Sequence, residues 1–249
     1  MGNLDGKVAI VFGASSGMGY ATALAYGEEG ARVLVAARRP GPLAELAEAI
    51  AQRGGEALAM AVDVSKREEV DAAVRAAVER WGRLDVLVNA AGVNAPDRRL
   101  DVLTPETWER IIGINLTGAF HCTQAALPQM RKQQDGLIIH ITSISGKWGD
   151  ISGAAYQASK HGMVGLAYAT MFEERHNGIR VTLIFPGLCD TPILKNRPVP
   201  PSQETRDRMM KPEDIAAACV FVASLPARTY VPELVMMPGA LQCVGQAAV

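Results

Sequence analysis

The 249-residue chain has no apolar run near the roughly 18 residues that a membrane span requires. It also has no block of like charges, and its formal net charge is −1. Neither a nucleic acid nor a membrane is therefore expected as its main partner. The apolar run in MGNLDGKVAIVFG is too short for a secretory leader and reads as the lead-in to a strand. Gly2 lacks the Ser or Thr that a myristoylation signal places near Asp5 and Gly6. The four cysteines (Cys122, Cys189, Cys219 and Cys243) are widely spaced and form no CxxC pair. That spacing speaks against a metal site and predicts free thiols in a reducing, cytoplasmic setting. Four histidines, His121, His140, His161 and His176, have no triad context, and no GxSxG surrounds Ser143, so a serine hydrolase is not indicated.

Short apolar runs alternate with helical patterns along the whole chain. Residues 7–12, 32–37, 56–62, 84–89, 136–141, 180–185 and 233–237 read as strands, the innermost apolar enough to be buried on both faces of a parallel sheet. Helices are expected over 17–29, 42–53, 66–81, 104–130 (irregular near 113–118), from about Tyr156 to His176, and over 212–224. Leu43, Leu46 and Ile50 form one buried stripe; Val70, Val74, Val78 and Trp81 are read as another. The pattern predicts an α/β chain, residues 1–249, folded as a single doubly wound Rossmann domain around a central parallel sheet of about seven strands. Residues 196–208 are Pro-rich and polar, and 191–211 are expected to cover the active site as a lid. The tail over 239–249 is weakly patterned.

The first strand runs into Gly13-Ala14-Ser15-Ser16-Gly17-Met18-Gly19 and then a helix. Glycines at this turn let the backbone approach a pyrophosphate, and the helix N-terminus offers it unpaired N–H groups. The second strand ends not in the carboxylate that would bind the ribose of NAD but in Ala37 followed by Arg38 and Arg39. Guanidinium forks suit a 2′-phosphate, so the residues favour NADP(H), with NAD(H) as the alternative. Ser15 and Ser16 add donors to that phosphate.

A second constellation follows the fifth strand. Ser143 lies just past the strand, and Tyr156 and Lys160 are four residues apart, on one helix face. A phenol ordinarily titrates near pH 10, and a fixed ammonium beside it is expected to lower that value toward general acid/base use.

Together these motifs resemble the short-chain dehydrogenase/reductase family, over essentially the whole chain. The resemblance implies a carbonyl/alcohol oxidoreductase with catalytic Ser143, Tyr156, Lys160 and Asn115, where Asn115 kinks its helix to support a proton relay through Lys160. It implies that Asp63 and Val64 contact the adenine, that Asn89, Ala90 and Gly92 support the cofactor, and that Pro186, Gly187, Thr191 and Ile193 hold the nicotinamide. Asn89 is also expected to tie its strand end to a neighbouring strand. The chain departs from the family at Phe12 (usually Thr), at Ala90 (usually Asn) and at Arg228-Thr229-Tyr230-Val231-Pro232 in place of a glycine-rich turn. A homotetramer or homodimer is expected, with its edge altered by that last departure. Pocket candidates are Asn94, Ala95, Ser145, Trp148, Leu188 and the loop from Ile193; Trp148, Ile151 and Leu194 suggest an apolar or aromatic ketone. A non-catalytic dinucleotide-binding sensor is the competing class. Epimerase or dehydratase chemistry would call for a longer chain.

Overall fold

The computed structural model describes residues 2–241 and 243. Seven strands, β1 (Val8–Phe12), β2 (Arg32–Ala37), β3 (Glu56–Ala61), β4 (Val86–Asn89), β5 (Gly136–Ile141), β6 (Ile179–Pro186) and β7 (Glu233–Met236), form one sheet in the order β3-β2-β1-β4-β5-β6-β7. Every pairing is parallel. Helices α1 (Gly17–Glu28), α2 (Pro40–Gln52) and α8 (Pro212–Ser224) share a core with one face, and α3 (Arg67–Trp81), α5 (Gly118–Gln133) and α6 (Ala154–Glu174) with the other. Between β3 and the last helix lie also α4 (Pro105–Ile112) and a short α7 (Gln203–Asp207). This is the doubly wound arrangement expected from the alternation of runs.

Strand side chains alternate between the two layers. Along β1, Ala9 and Val11 join the core under α1, α2 and α8, whereas Ile10 and Phe12 join the core under α3 and α5. Phe12, the departure noted above, is thus fully buried as packing. Across the first layer the Tyr26 hydroxyl donates to the Cys219 carbonyl at 3.1 Å and locks α1 to α8. The stripe on α3 is buried at Val70 and Val74, but Trp81 is only half-buried and its indole N–H donates to Glu56 Oε1 at 2.9 Å. Trp81 therefore closes the end of the layer instead of filling it, because an indole N–H needs a partner.

Thr104 caps α4 as its spacing predicts, accepting from the Thr107 N–H at 3.2 Å. The irregularity expected between 113 and 118 is a π-helical turn, Gly113–Thr117, joining α4 to α5. The segment expected as a bare lid is more ordered: it carries a 3₁₀ turn, Pro192–Asn196, and α7. Asp190 anchors it through Arg206 (2.8 Å) and Lys211 (3.2 Å). Among the described residues no helix is long and apolar enough to cross a membrane. Residues 244–249 of the tail lie outside the described residues.

His140, on β5, is wholly buried; its Nε2 meets the Thr123 hydroxyl at 3.3 Å and its Nδ1 has no partner among the described residues. Burial, and then the Lys160 charge beside it, pull its pKa from 6.5 to about 4. The unfolded chain takes up a proton below the ordinary value while the folded chain does not. The neutral imidazole thus stabilises the fold above that value, and this contribution is lost as the pH falls toward 4. Denaturant titrations should show a loss of up to about 1.4 kcal/mol per pH unit across this window. A stability flat from pH 6.5 to 4.5 would contradict the assignment.

Candidate active site

Strand order reverses between β1 and β4, and their C-terminal ends open into a crevice. Gly13 follows β1 with φ +82°, and a Cβ added there would stand 2.6 Å from the Ala91 backbone nitrogen. Only glycine lets this turn press against the strand beside it. The resulting cleft, about 300 Å³, is lined by Gly13, Ser15, Ser16, Gly17 and Met18 at the first turn, and by Arg38 and Arg39 at the end of β2. Asp63, Val64, Ala90 and Gly92 line it further along, and Thr191 and Ile193 close it from the segment after β6. Arg38 and Arg39 are exposed at its rim, and Arg39 Nη2 donates to Ser15 Oγ at 3.1 Å, which gathers arginine and serine at one corner.

Tyr156 and Lys160 sit on α6 at the inner end of the cleft. Lys160 is buried, and its ammonium donates to the Ile141 carbonyl at 3.2 Å. Tyr156 also lines a second pocket of about 100 Å³, together with Ser143, Asn94, Ser145 and Leu188. Thr142, Thr191, Met18 and Ile193 belong to both cavities, so the two meet at the tyrosine. Ser143 caps a 3₁₀ turn, Ile144–Gly146, accepting from the Ser145 N–H at 3.1 Å, and it lines the same pocket as Tyr156. The loop between β5 and α6 does fold back to join serine and tyrosine.

Asn115 lies in the π-turn with no exposed surface. Its Oδ1 accepts from the Val93 N–H at 2.8 Å, and its amide donates to the Val93 carbonyl and to Ser159 Oγ, each at 3.0 Å. It thereby pins the loop after β4 and helix α6 to one point. A Cβ built on Gly92 would lie 3.6 Å from Lys160 Nζ and 3.8 Å from Asn115 Oδ1, so the ammonium and the asparagine share that open face.

The short chain dehydrogenase family model matches residues 7–200. A 3-oxoacyl-[acyl-carrier-protein] reductase of Synechocystis is 37% identical, over 92% of this chain and 93% of its own. This chain belongs to the short-chain dehydrogenase/reductase family. A cis-4-hydroxycyclohexanecarboxylate dehydrogenase of Sinomonas cyclohexanicum is 34% identical over 96% of this chain and 97% of its own. A metagenomic short-chain oxidoreductase, crystallised with NADP, superposes with a TM-score of 0.83 at 33% identity, covering 96% of this chain and all of that one. As a short-chain dehydrogenase/reductase the chain is an oxidoreductase of CH–OH groups that uses a nicotinamide dinucleotide.

In this dehydrogenase/reductase several expected residues stand elsewhere. Asn89 does not line the cleft; its Oδ1 accepts from Ala91 N at 3.3 Å within its own turn, and its Nδ2 is buried without a partner among the described residues. It does not tie β4 to a neighbour, because the short turn keeps the side chain on its own strand end. Gly19 lies behind the cleft against Gly13, while Pro186 and Gly187 line the smaller pocket, Gly187 N–H bonding Met236 O at 2.8 Å. Trp148 lines neither cavity and is 37% exposed, and Ile151 is 69% exposed. Leu194 does line the pocket, beside Leu188 and Ile193, and the apolar wall is joined by Arg98, Asp150, Ser152 and Arg197, of which only Arg197 falls in a segment expected there.

The electrostatics also differ from expectation. Desolvation, with the Asp150 charge adding to it, pushes the Tyr156 phenol up to about 12, outweighing the Ser143 hydroxyl and the charges of Arg197 and Arg98 that pull it down. The Lys160 charge does not reverse this rise. The ammonium lies 5.7 Å from the tyrosine ring centroid and points to Ile141, and burial brings Lys160 itself down to about 8.

Proposed function

We propose that this chain is an NADP(H)-dependent oxidoreductase that interconverts a ketone and a secondary alcohol, with Ser143, Tyr156, Lys160 and Asn115 as its active site. The observation that carries this reading is the position of Tyr156, on the wall shared by the glycine-turned cleft and the smaller pocket, with Ser143 beside it. The open glycine turn, the α1 N-terminus and the paired arginines fit a phosphorylated dinucleotide, and NADP is the cofactor in the metagenomic relative. When bound, that cofactor supplies or takes up the hydride.

The chain's own residues manage the proton. Tyr156 donates it to the developing alkoxide during reduction and accepts it during oxidation. Ser143 orients the carbonyl oxygen by a hydrogen bond. Lys160 holds the nicotinamide ribose, and Asn115 supports the relay by fixing the loop at Val93 against α6. Because the phenol is pushed up, it is protonated at neutral pH and set as an acid for ketone reduction. The relatives' names, a 3-oxoacyl reductase and a hydroxycyclohexanecarboxylate dehydrogenase, are both consistent with a hydroxy/oxo pair. Cytoplasmic location and a homodimer or homotetramer belong to the same proposal, with Trp108 and Phe120 on α4 and α5, and Tyr168 and Phe172 on α6, as exposed candidate faces. The test is turnover: ketones should drive NADPH oxidation, whereas tight NADPH binding without turnover on any ketone or alcohol would favour the sensor reading.

A further inference from the structure

The pocket beyond Tyr156 carries two guanidinium groups that the proton chemistry does not employ. Arg98 comes from the loop between β4 and α4, and Arg197 from the segment after β6. Arg98 is only 7% exposed; its Nη2 donates to the Asn196 carbonyl at 3.0 Å, but its Nε is buried without a partner among the described residues. Arg197 is half-buried on the same wall. Neither forms an ion pair among the described residues.

Asp150, the carboxylate that lines this pocket, is engaged by its own loop. It accepts from Ser145 Oγ at 2.5 Å, Ser152 Oγ at 3.1 Å and Ser152 N at 2.8 Å. Two guanidiniums against one carboxylate leave an excess of positive charge. Burial and the neighbouring Arg197 hold the Arg98 guanidinium below its ordinary range, so the two like charges oppose one another. Such an arrangement is costly unless an anion joins it. The fold nevertheless makes room for Arg98: Gly153 has φ +89°, and a Cβ there would stand 2.6 Å from Arg98 Cβ.

Resting on the oxidoreductase reading above, we propose that the substrate is an oxo acid or hydroxy acid whose carboxylate is held by Arg98 and Arg197 while its carbonyl or hydroxyl oxygen faces Tyr156 and Ser143. A planar carboxylate matches guanidinium forks, and a small monoanion matches both the excess charge and a pocket of about 100 Å³. Arg98 also joins the pocket to the lid through Asn196, so the acid group and the segment over 191–211 meet at one residue.

The experiment reads binding without turnover. Enzyme saturated with NADP+ is titrated with cyclohexanecarboxylate and with cyclohexanecarboxamide, which match in size and differ in charge. The carboxylate should bind at least about tenfold more tightly, and Arg197→Gln and Arg98→Gln should each reduce that preference to within about twofold. NADP+ affinity, measured alongside, reports whether each variant is folded; if Arg98→Gln fails that control, Arg197→Gln decides. Equal affinity for the two probes, or a carboxylate preference that survives substitution, overturns the proposal. Failure of the oxidoreductase reading would show separately, as NADPH that no ketone consumes.

Discussion

Tyr156→Phe should lower kcat/KM for ketone reduction by about 10²- to 10⁴-fold, while the dissociation constant for NADPH changes by less than about twofold. The substitution removes one oxygen and keeps the ring that walls the cleft, so cofactor affinity isolates the chemical step. The account asks more of this hydroxyl than of any other group, because its phenol stands where the two cavities meet. A pH signature accompanies it. With the phenol pushed up to about 12, alcohol oxidation needs the scarce phenolate and should climb with pH in the alkaline range. Ketone reduction uses the abundant phenol and should change little near neutrality. A Tyr156→Phe enzyme that kept most of its turnover with NADPH still bound would remove the tyrosine from the mechanism.

Arg38→Ala/Arg39→Ala should weaken NADPH binding by about 10²-fold and leave NADH within about threefold, since each charge-assisted hydrogen bond to a phosphate contributes on the order of 1.5–3 kcal/mol and some of it is replaced by water. The two side chains sit at the cleft rim at the end of β2, and Arg39 is already drawn to Ser15 at 3.1 Å. Equilibrium titration of both dinucleotides against wild type and double variant measures the effect. Wild-type binding of NADH as tight as NADPH would mean that these arginines merely solvate a strand end.

The fold was legible because its signals are local. An apolar run buried on two faces, a glycine turn and a capping threonine each act within a few residues, and Phe12 to Gly19 could be placed from neighbours alone. Tyr156 and Lys160 were legible for the same reason, being one helical turn apart. The substrate pocket was legible only in part, through Asn94, Ser145, Leu188 and Leu194. Arg98 and Arg197 are far apart in sequence and converge only when the loop after β4 meets the segment after β6, so no spacing announces them. Trp148 misled because bulk suggests a pocket wall, whereas the 3₁₀ turn after Ser143 leaves it clear of both cavities. The ionisation of Tyr156 is also beyond spacing: a neighbouring charge can be inferred from it, but desolvation depends on everything packed around the phenol.

The most direct measurement follows the hydride itself. Purified enzyme is given NADPH deuterated at C4 of the nicotinamide, on each face in turn, with 4-oxocyclohexanecarboxylate, and the product is examined by mass spectrometry and NMR. The account predicts one deuterium on the carbinol carbon from one of the two labelled cofactors, at a rate that collapses in Tyr156→Phe. Tight NADPH binding with no deuterium reaching this or any neutral ketone would contradict it.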